Sequence, residues 1–330
     1  MTKALESAHD HHTGIWPVML TPFTENLEID WASLENLIDW YLAAGVHGLF
    51  ANCQSSEMFF LSDAESEKLT RFVVDYVDGR APVVASGHTG NAPGHQAEQL
   101  KAIAECGVDS VIMISNRLAA QDQSDTIVLE NLAALTEKLP TNVGLGVYEC
   151  PYPYKRLLSE EAVSWAAKSG RFTFLKDTCC NIEMLRRRAE LAKGSRLHIA
   201  NANAQTLLES MKAGCHGYSG VMANFHPALY VWLFENWQKE PGKAEILSKF
   251  LSLAALTESM SYPACAKDFQ KAVGNFASVK CRSLTTGSYF DNHVSSTVSQ
   301  MIALGDWLSQ TLELGLPATA SQPESRVAAE

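Results

Sequence analysis

The chain has 330 residues, 46% hydrophobic and 19% charged, with a formal net charge of −11 at pH 7. That length suits one large α/β domain of roughly 250 residues with an appendage, and the acidic balance excludes nucleic acid and anionic membrane surfaces, which need basic patches. No apolar run approaches the roughly 18 residues needed to cross a bilayer, the N-terminus has no apolar signal core, and the eight scattered cysteines fit neither a disulfide framework nor a zinc site.

A cytoplasmic protein with reduced thiols is therefore expected. Residues 1–13, including His9-Asp10-His11-His12, read as a disordered polar leader rather than a metal site. Gly14 to Leu20 is the first apolar run, stopped by Thr21-Pro22. Asp30 can cap a helix whose apolar positions Leu34, Leu37, Ile38, Tyr41 and Leu42 keep the helical period, and Gly45 ends it. Val46 to Asn52 is the second strand. It leads into Cys53-Gln54-Ser55-Ser56-Glu57, and Ser62 with Glu65 then forms a capping box.

The alternation continues. Strands are expected at Pro82 to Ser86, Val108 to Ile114, Val143 to Tyr148, Arg171 to Lys176, Leu197 to Ala200 and His216 to Gly220, with helical patterns between them. Eight strands alternating with helices predict a parallel sheet closed into a (β/α)8 TIM barrel over residues 14–226. An open doubly wound sheet is disfavoured, because no Gly-rich dinucleotide fingerprint follows the first strand. Residues 227–314 read as a C-terminal helical segment and residues 315–330 as a disordered tail.

In such a barrel the C-terminal strand ends surround one mouth, where chemistry is done. They carry Ser55, Ser56 and Glu57, then Ser115-Asn116-Arg117, Tyr148, Lys176 and Thr178, Asn201 and Asn203, and Ser219-Gly220. Lys176 is the covalent nucleophile among them. Strand alternation places it on one face with Phe174 and Phe172, and poor solvation there lowers an ammonium's pKa. Tyr148, one strand away, is its acid/base partner, with Gly144 and Gly146 beneath it to clear space for a ligand or the lysine stem. His88, His198 and His216 have no nucleophile elbow to serve, and no metal-ligand spacing falls on these ends. Arg186-Arg187-Arg188 reads as the solvated face of a helix.

Taken together, these segments resemble the dihydrodipicolinate synthase / N-acetylneuraminate lyase family of pyruvate-dependent class I aldolases, from Gly14 to about Leu284. The resemblance is carried by Leu20-Thr21-Pro22-Phe23, Ala44-Gly45-Val46 and Gly48-Leu49-Phe50. Cys53-Gln54-Ser55-Ser56-Glu57 stands at the Gly-Thr-Thr-Gly-Glu position and Tyr148-Glu149-Cys150-Pro151 at Tyr-Asn-x-Pro. Lys176-Asp177-Thr178 matches the Schiff-base segment, and Gly217-Tyr218-Ser219-Gly220 with Ala223-Asn224 matches the eighth-strand segment.

The resemblance implies that Lys176 forms a Schiff base with pyruvate or another 2-oxo acid, and that Tyr148 shuttles protons. Ser55 and neighbouring N–H groups would hold the carboxylate, and Thr178 would line the channel. Gln54, Ser56, Asn203, Ser219 and Gly220 complete the expected substrate-binding set. No metal or organic cofactor is implied, and a homo-oligomer, tetramer or dimer, is. The departures bear on specificity. Gln54 replaces a relay threonine, Ile114-Ser115-Asn116 replaces Pro-Tyr-Tyr, Pro153 falls near a missing arginine, and Asn203-Ala204 stands where sugar-binding acids would be. A less polar aldehyde half follows, as in hydratase-aldolases that split aromatic benzylidenepyruvates. A 2-oxo-3-deoxy sugar acid dehydratase and a non-catalytic 2-oxo acid sensor on the same barrel are the alternatives.

Overall fold

The computed structural model describes residues 12–283 and 292–316. Residues 1–11 of the expected leader and 317–330 of the expected tail lie outside them. His12, assigned to the leader by its polar neighbours, is instead buried, its ring stacked on Trp16 at 5.4 Å and hydrogen-bonded to Ser110.

Eight parallel strands form the sheet: β1 (Gly14–Ile15), β2 (Leu49–Phe50), β3 (Val83–Ala85), β4 (Ser110–Ile114), β5 (Gly144–Tyr148), β6 (Phe172–Asp177), β7 (His198–Asn201) and β8 (Gly217–Tyr218). Neighbours in sequence pair in order, and β1 pairs with β8. A parallel bridge between Val18 and Phe50 joins the first run to β2 and closes the (β/α)8 barrel. The first run is regular for only two residues because Pro17 has no N–H to donate. It rejoins the ladder where Phe50 N–H donates to Pro17 O at 3.0 Å and Met19 N–H donates to Phe50 O at 3.0 Å.

The helices start where the caps predict. Asp30 accepts from Ser33 N–H at the start of α1 (Trp31–Ala43), and the Ser62–Glu65 capping box opens α2 (Asp63–Val77). Outside the later strands run α3 (Pro93–Ala104), α4 (Ser115–Leu118), α5 (Asp125–Lys138), α6 (Glu160–Ser169), α7 (Ile182–Ala192) and α8 (Leu207–Lys212). The single turn of α4 has no amphipathic period, which is why the sequence gives no sign of it. The C-terminal segment contributes α9 (Pro227–Asn236), α10 (Pro241–Ala254), a 3-10 turn at Ala255–Ser259, α11 (Ala264–Ala272) and α12 (Asn292–Thr311).

Two buried layers result. The lumen is filled by Trp16, Val18, Phe50, Ile112, Phe174 and Tyr148 with their neighbours, while a larger shell lies between sheet and helices. Phe174 and Lys176 face inward as alternation requires, but Phe172 does not. It packs on Trp165 of α6 at 5.7 Å, because the β5–β6 register shifts between Leu145 and Gly146 and turns the strand before Phe174. The expected face of Phe172, Phe174 and Lys176 is thus two residues long.

Candidate active site

The β5–β6 ladder sets Tyr148 directly opposite Lys176. Both side chains point into the lumen and line a cavity of about 620 Å3 at the C-terminal mouth. Lys176 is 4% exposed, with its Nζ 4.1 Å from the centroid of the Tyr148 ring and 5.7 Å from that of Phe50. Burial lowers the pKa of its amine, against the opposing pull of Cys53, Cys150 and Glu258. The same burial raises the Tyr148 phenol well above its ordinary value, so it keeps its proton. The glycines beneath Tyr148 serve packing rather than a ligand. A Cβ on Gly146 would lie 2.5 Å from Ile112 Cδ1 and 2.7 Å from Phe174 O.

The loop after β2 is built from its own side chains. Ser56 Oγ accepts from Cys53 N–H at 3.1 Å and lies 2.7 Å from Met19 O and 3.0 Å from Ala51 O, and Thr21 donates to Ser56 O at 2.8 Å. Ser56 therefore shapes the loop and does not line the cavity, which corrects its expected role. Only Glu57 takes left-handed backbone there, at φ 60°. Replacing the family's glycines by Cys53 and Ser56 thus demands no left-handed residue at either position. Gln54 and Ser55 do reach the cavity. Gln54 Oε1 accepts from the Tyr148 hydroxyl at 3.4 Å and from the Cys150 thiol at 3.3 Å, and burial pushes that thiol up to about 11.

Thr178, Asn203 and Gly220 also line the cavity. The Thr178 hydroxyl is engaged, donating to Glu149 O at 2.8 Å, and Asn203 Oδ1 accepts from Thr206 N–H at 3.0 Å. Ser219 is fully buried behind Gly220 in sequence and is not part of the lining. Asn201 holds Thr206 and Ser210 from the β7 end, and Asn116 Nδ2 lies 2.7 to 2.9 Å from three carbonyls of the 150–154 loop. These two asparagines build the mouth without entering it.

Sequence reasoning missed most of the outer wall. Phe59, Phe60 and Tyr152 give it aromatic surface, with Phe59 and Tyr152 edge to face at 5.1 Å. Lys155, Glu258 and Tyr262 also reach it, Lys155 donating to Thr178 O at 2.7 Å and Tyr262 OH accepting from Asn224 at 3.1 Å. Glu258 and Tyr262 come from the helical segment, where no strand-end rule points to them. Among the described residues no group of three or more His, Cys, Asp or Glu is arranged to hold a metal ion.

With this geometry, the match to known proteins is specific. The model of the dihydrodipicolinate synthetase family matches residues 11–289. The chain belongs to that family. Among the family's curated members, the 4-hydroxy-tetrahydrodipicolinate synthase of Staphylococcus epidermidis is 25% identical over 248 residues, 75% of this chain and 81% of its own. That of Coxiella burnetii is 26% identical over 217 residues, 66% and 72%. Among solved family structures, a monomeric dihydrodipicolinate synthase variant superposes with a TM-score of 0.81 at 19% identity, covering 91% of this chain and 98% of that one. YagE, a prophage protein of the family from E. coli K12 solved with pyruvate, superposes with a TM-score of 0.78 at 23% identity, covering 92% and 99%. At these identities the structural likeness speaks for the fold, and the family model for membership.

Proposed function

We propose that the protein is a class I lyase that cleaves a 2-oxo acid through a Schiff base on Lys176. The observation that carries this reading is the lysine itself, buried against the Tyr148 and Phe50 rings and lining the cavity, with its pKa lowered by burial. The neutral amine attacks the ketone carbon, and the carbonyl oxygen takes the Tyr148 proton. The resulting carbinolamine gives an Nζ proton back to the phenolate, which passes it to the departing hydroxyl, so one water leaves and an iminium remains beside the Tyr148 phenolate. Electrons of the bond beyond the adjacent carbon flow into that iminium. As they do, Tyr148 takes the proton of the substrate hydroxyl and an aldehyde departs. Protonation of the enamine and addition of water release pyruvate and the free amine.

Ser55 and neighbouring N–H groups suit the carboxylate, since it is the family-position residue whose side chain reaches the cavity beside Tyr148 and Gln54. Gln54 holds the phenol but cannot pass a proton onward as a hydroxyl would. The proton must therefore return through the substrate, which favours cleavage over the synthase reaction named for the relatives. The aromatic wall of Phe59, Phe60 and Tyr152 supports an aryl or otherwise apolar aldehyde half.

A panel of 2-oxo acids, aryl and sugar-like, tests this directly. Pyruvate and an aldehyde should appear from the aryl acids and vanish in Lys176→Ala. Loss of water without C–C cleavage would favour the dehydratase, and no turnover with any acid would favour the sensor. A homo-oligomer in a reducing compartment completes the proposal. The eight cysteines are free thiols, and no helix among the described residues is long and apolar enough to cross a membrane.

A further inference from the structure

The run Arg186-Arg187-Arg188 does not behave as one solvated face. Arg186 and Arg187 pair with Glu183 and Glu160 at the surface, whereas Arg188 is 2% exposed. Its position follows from strand alternation. Tyr148 and Lys176 point into the lumen, so the next residues, Glu149 and Asp177, point out beneath α7, and both are fully buried. Arg188 spans them. Its Nη2 lies 2.6 Å from Glu149 Oε1 and 2.8 Å from Leu158 O, and its Nη1 lies 3.1 Å from Glu149 Oε2 and also bonds Asp177.

Backbone N–H groups bond the same carboxylates. Leu158 N–H donates to Glu149 Oε1 at 2.7 Å, Thr178 N–H to Glu149 Oε2 at 3.0 Å, and Cys179 N–H to Asp177 Oδ1 at 2.8 Å. A buried ion cluster is weak evidence of stabilisation, since an apolar replacement is often as stable. What this one achieves is geometric. It joins the residue after Tyr148 to the residue after Lys176 and to Thr178, and Glu149 stands where the family pattern has Asn.

We infer that Arg188 is a positioning residue that holds the β5 and β6 ends in register so that the Tyr148 phenol and the Lys176 amine meet across the cavity; this rests on the Schiff-base reading. Arginine is required because one planar fork reaches both carboxylates, which a lysine ammonium cannot do. A slip of about 1 Å between the two strand ends is enough to cost on the order of 100-fold in rate.

The test compares wild type, Arg188→Lys and Arg188→Met in pyruvate-dependent borohydride trapping, as rate against pH and against pyruvate concentration. The folded Arg188→Lys protein should keep its half-saturating pyruvate concentration. Its trapping rate should fall about 100-fold, and its pH profile should move toward the alkaline range of an ordinary lysine. Should Arg188→Met not fold, Arg188→Lys alone decides. Wild-type rate and profile in that variant would overturn the inference and leave the Schiff base standing. An unlabelled wild type would remove the Schiff base and the inference together.

Discussion

Burial moves Lys176 and Tyr148 in opposite directions along the pH axis, and the two shifts make a working pair. The amine loses its charge below the usual 10.5, while the phenol holds its proton above the usual 10. The shifts favour a neutral, nucleophilic amine beside a phenol that can donate its proton. Adduct formation with pyruvate should therefore rise with pH along a curve whose midpoint lies below 10.5, read from initial trapping rates. Tyr148→Phe removes the donor together with its hydrogen bond to Gln54 and keeps the ring. Its kcat should drop by about 10²- to 10⁴-fold while its circular dichroism is unchanged. A variant that turns over at the wild-type rate would take Tyr148 out of the proton path.

At the scale of elements, the helical segment secures the loop that carries Gln54 and Ser55. Lys267 of α11 and Glu57 are both fully buried, 2.5 Å apart, and Glu57 also accepts from Ser283 N–H at 2.6 Å. Lys267→Met would strand the Glu57 carboxylate, so it should destabilise by about 3–5 kcal/mol in urea unfolding. Adding Glu57→Gln should recover much of that loss, and an additive pair would deny the coupling. This tie was invisible in the sequence because its partners stand far apart in the chain. What was legible followed local rules: Asp30 and Ser62 as caps, eight strands between helices, and Lys176 and Tyr148 at strand ends. What was not legible depended on direction. Ser56 turns into its own loop, Phe172 turns outward at a register shift, and Arg188 turns inward at the end of a charged run. Residue type alone does not fix which way a side chain points.

For the molecule as a whole, buried histidines set the acid limit. Burial lowers His88 to about 4 and His226 to about 3, against an ordinary value of 6.5. Above 6.5 both are neutral folded or unfolded, and they add no pH dependence. As the pH falls from 6.5 toward 4, the unfolded chain takes up protons that the native protein refuses, so stability falls, by on the order of several kcal/mol. Urea midpoints measured across that window should decline, and His226→Leu should flatten the decline. The same barrel keeps Lys176 buried at its mouth, on the wall of the cavity. Borohydride reduction in the presence of pyruvate, followed by peptide mass spectrometry, tests that lysine's role most directly. One reduced pyruvate adduct, on Lys176, is expected. An unmodified protein, or an adduct on a surface lysine with Lys176 intact, would contradict it.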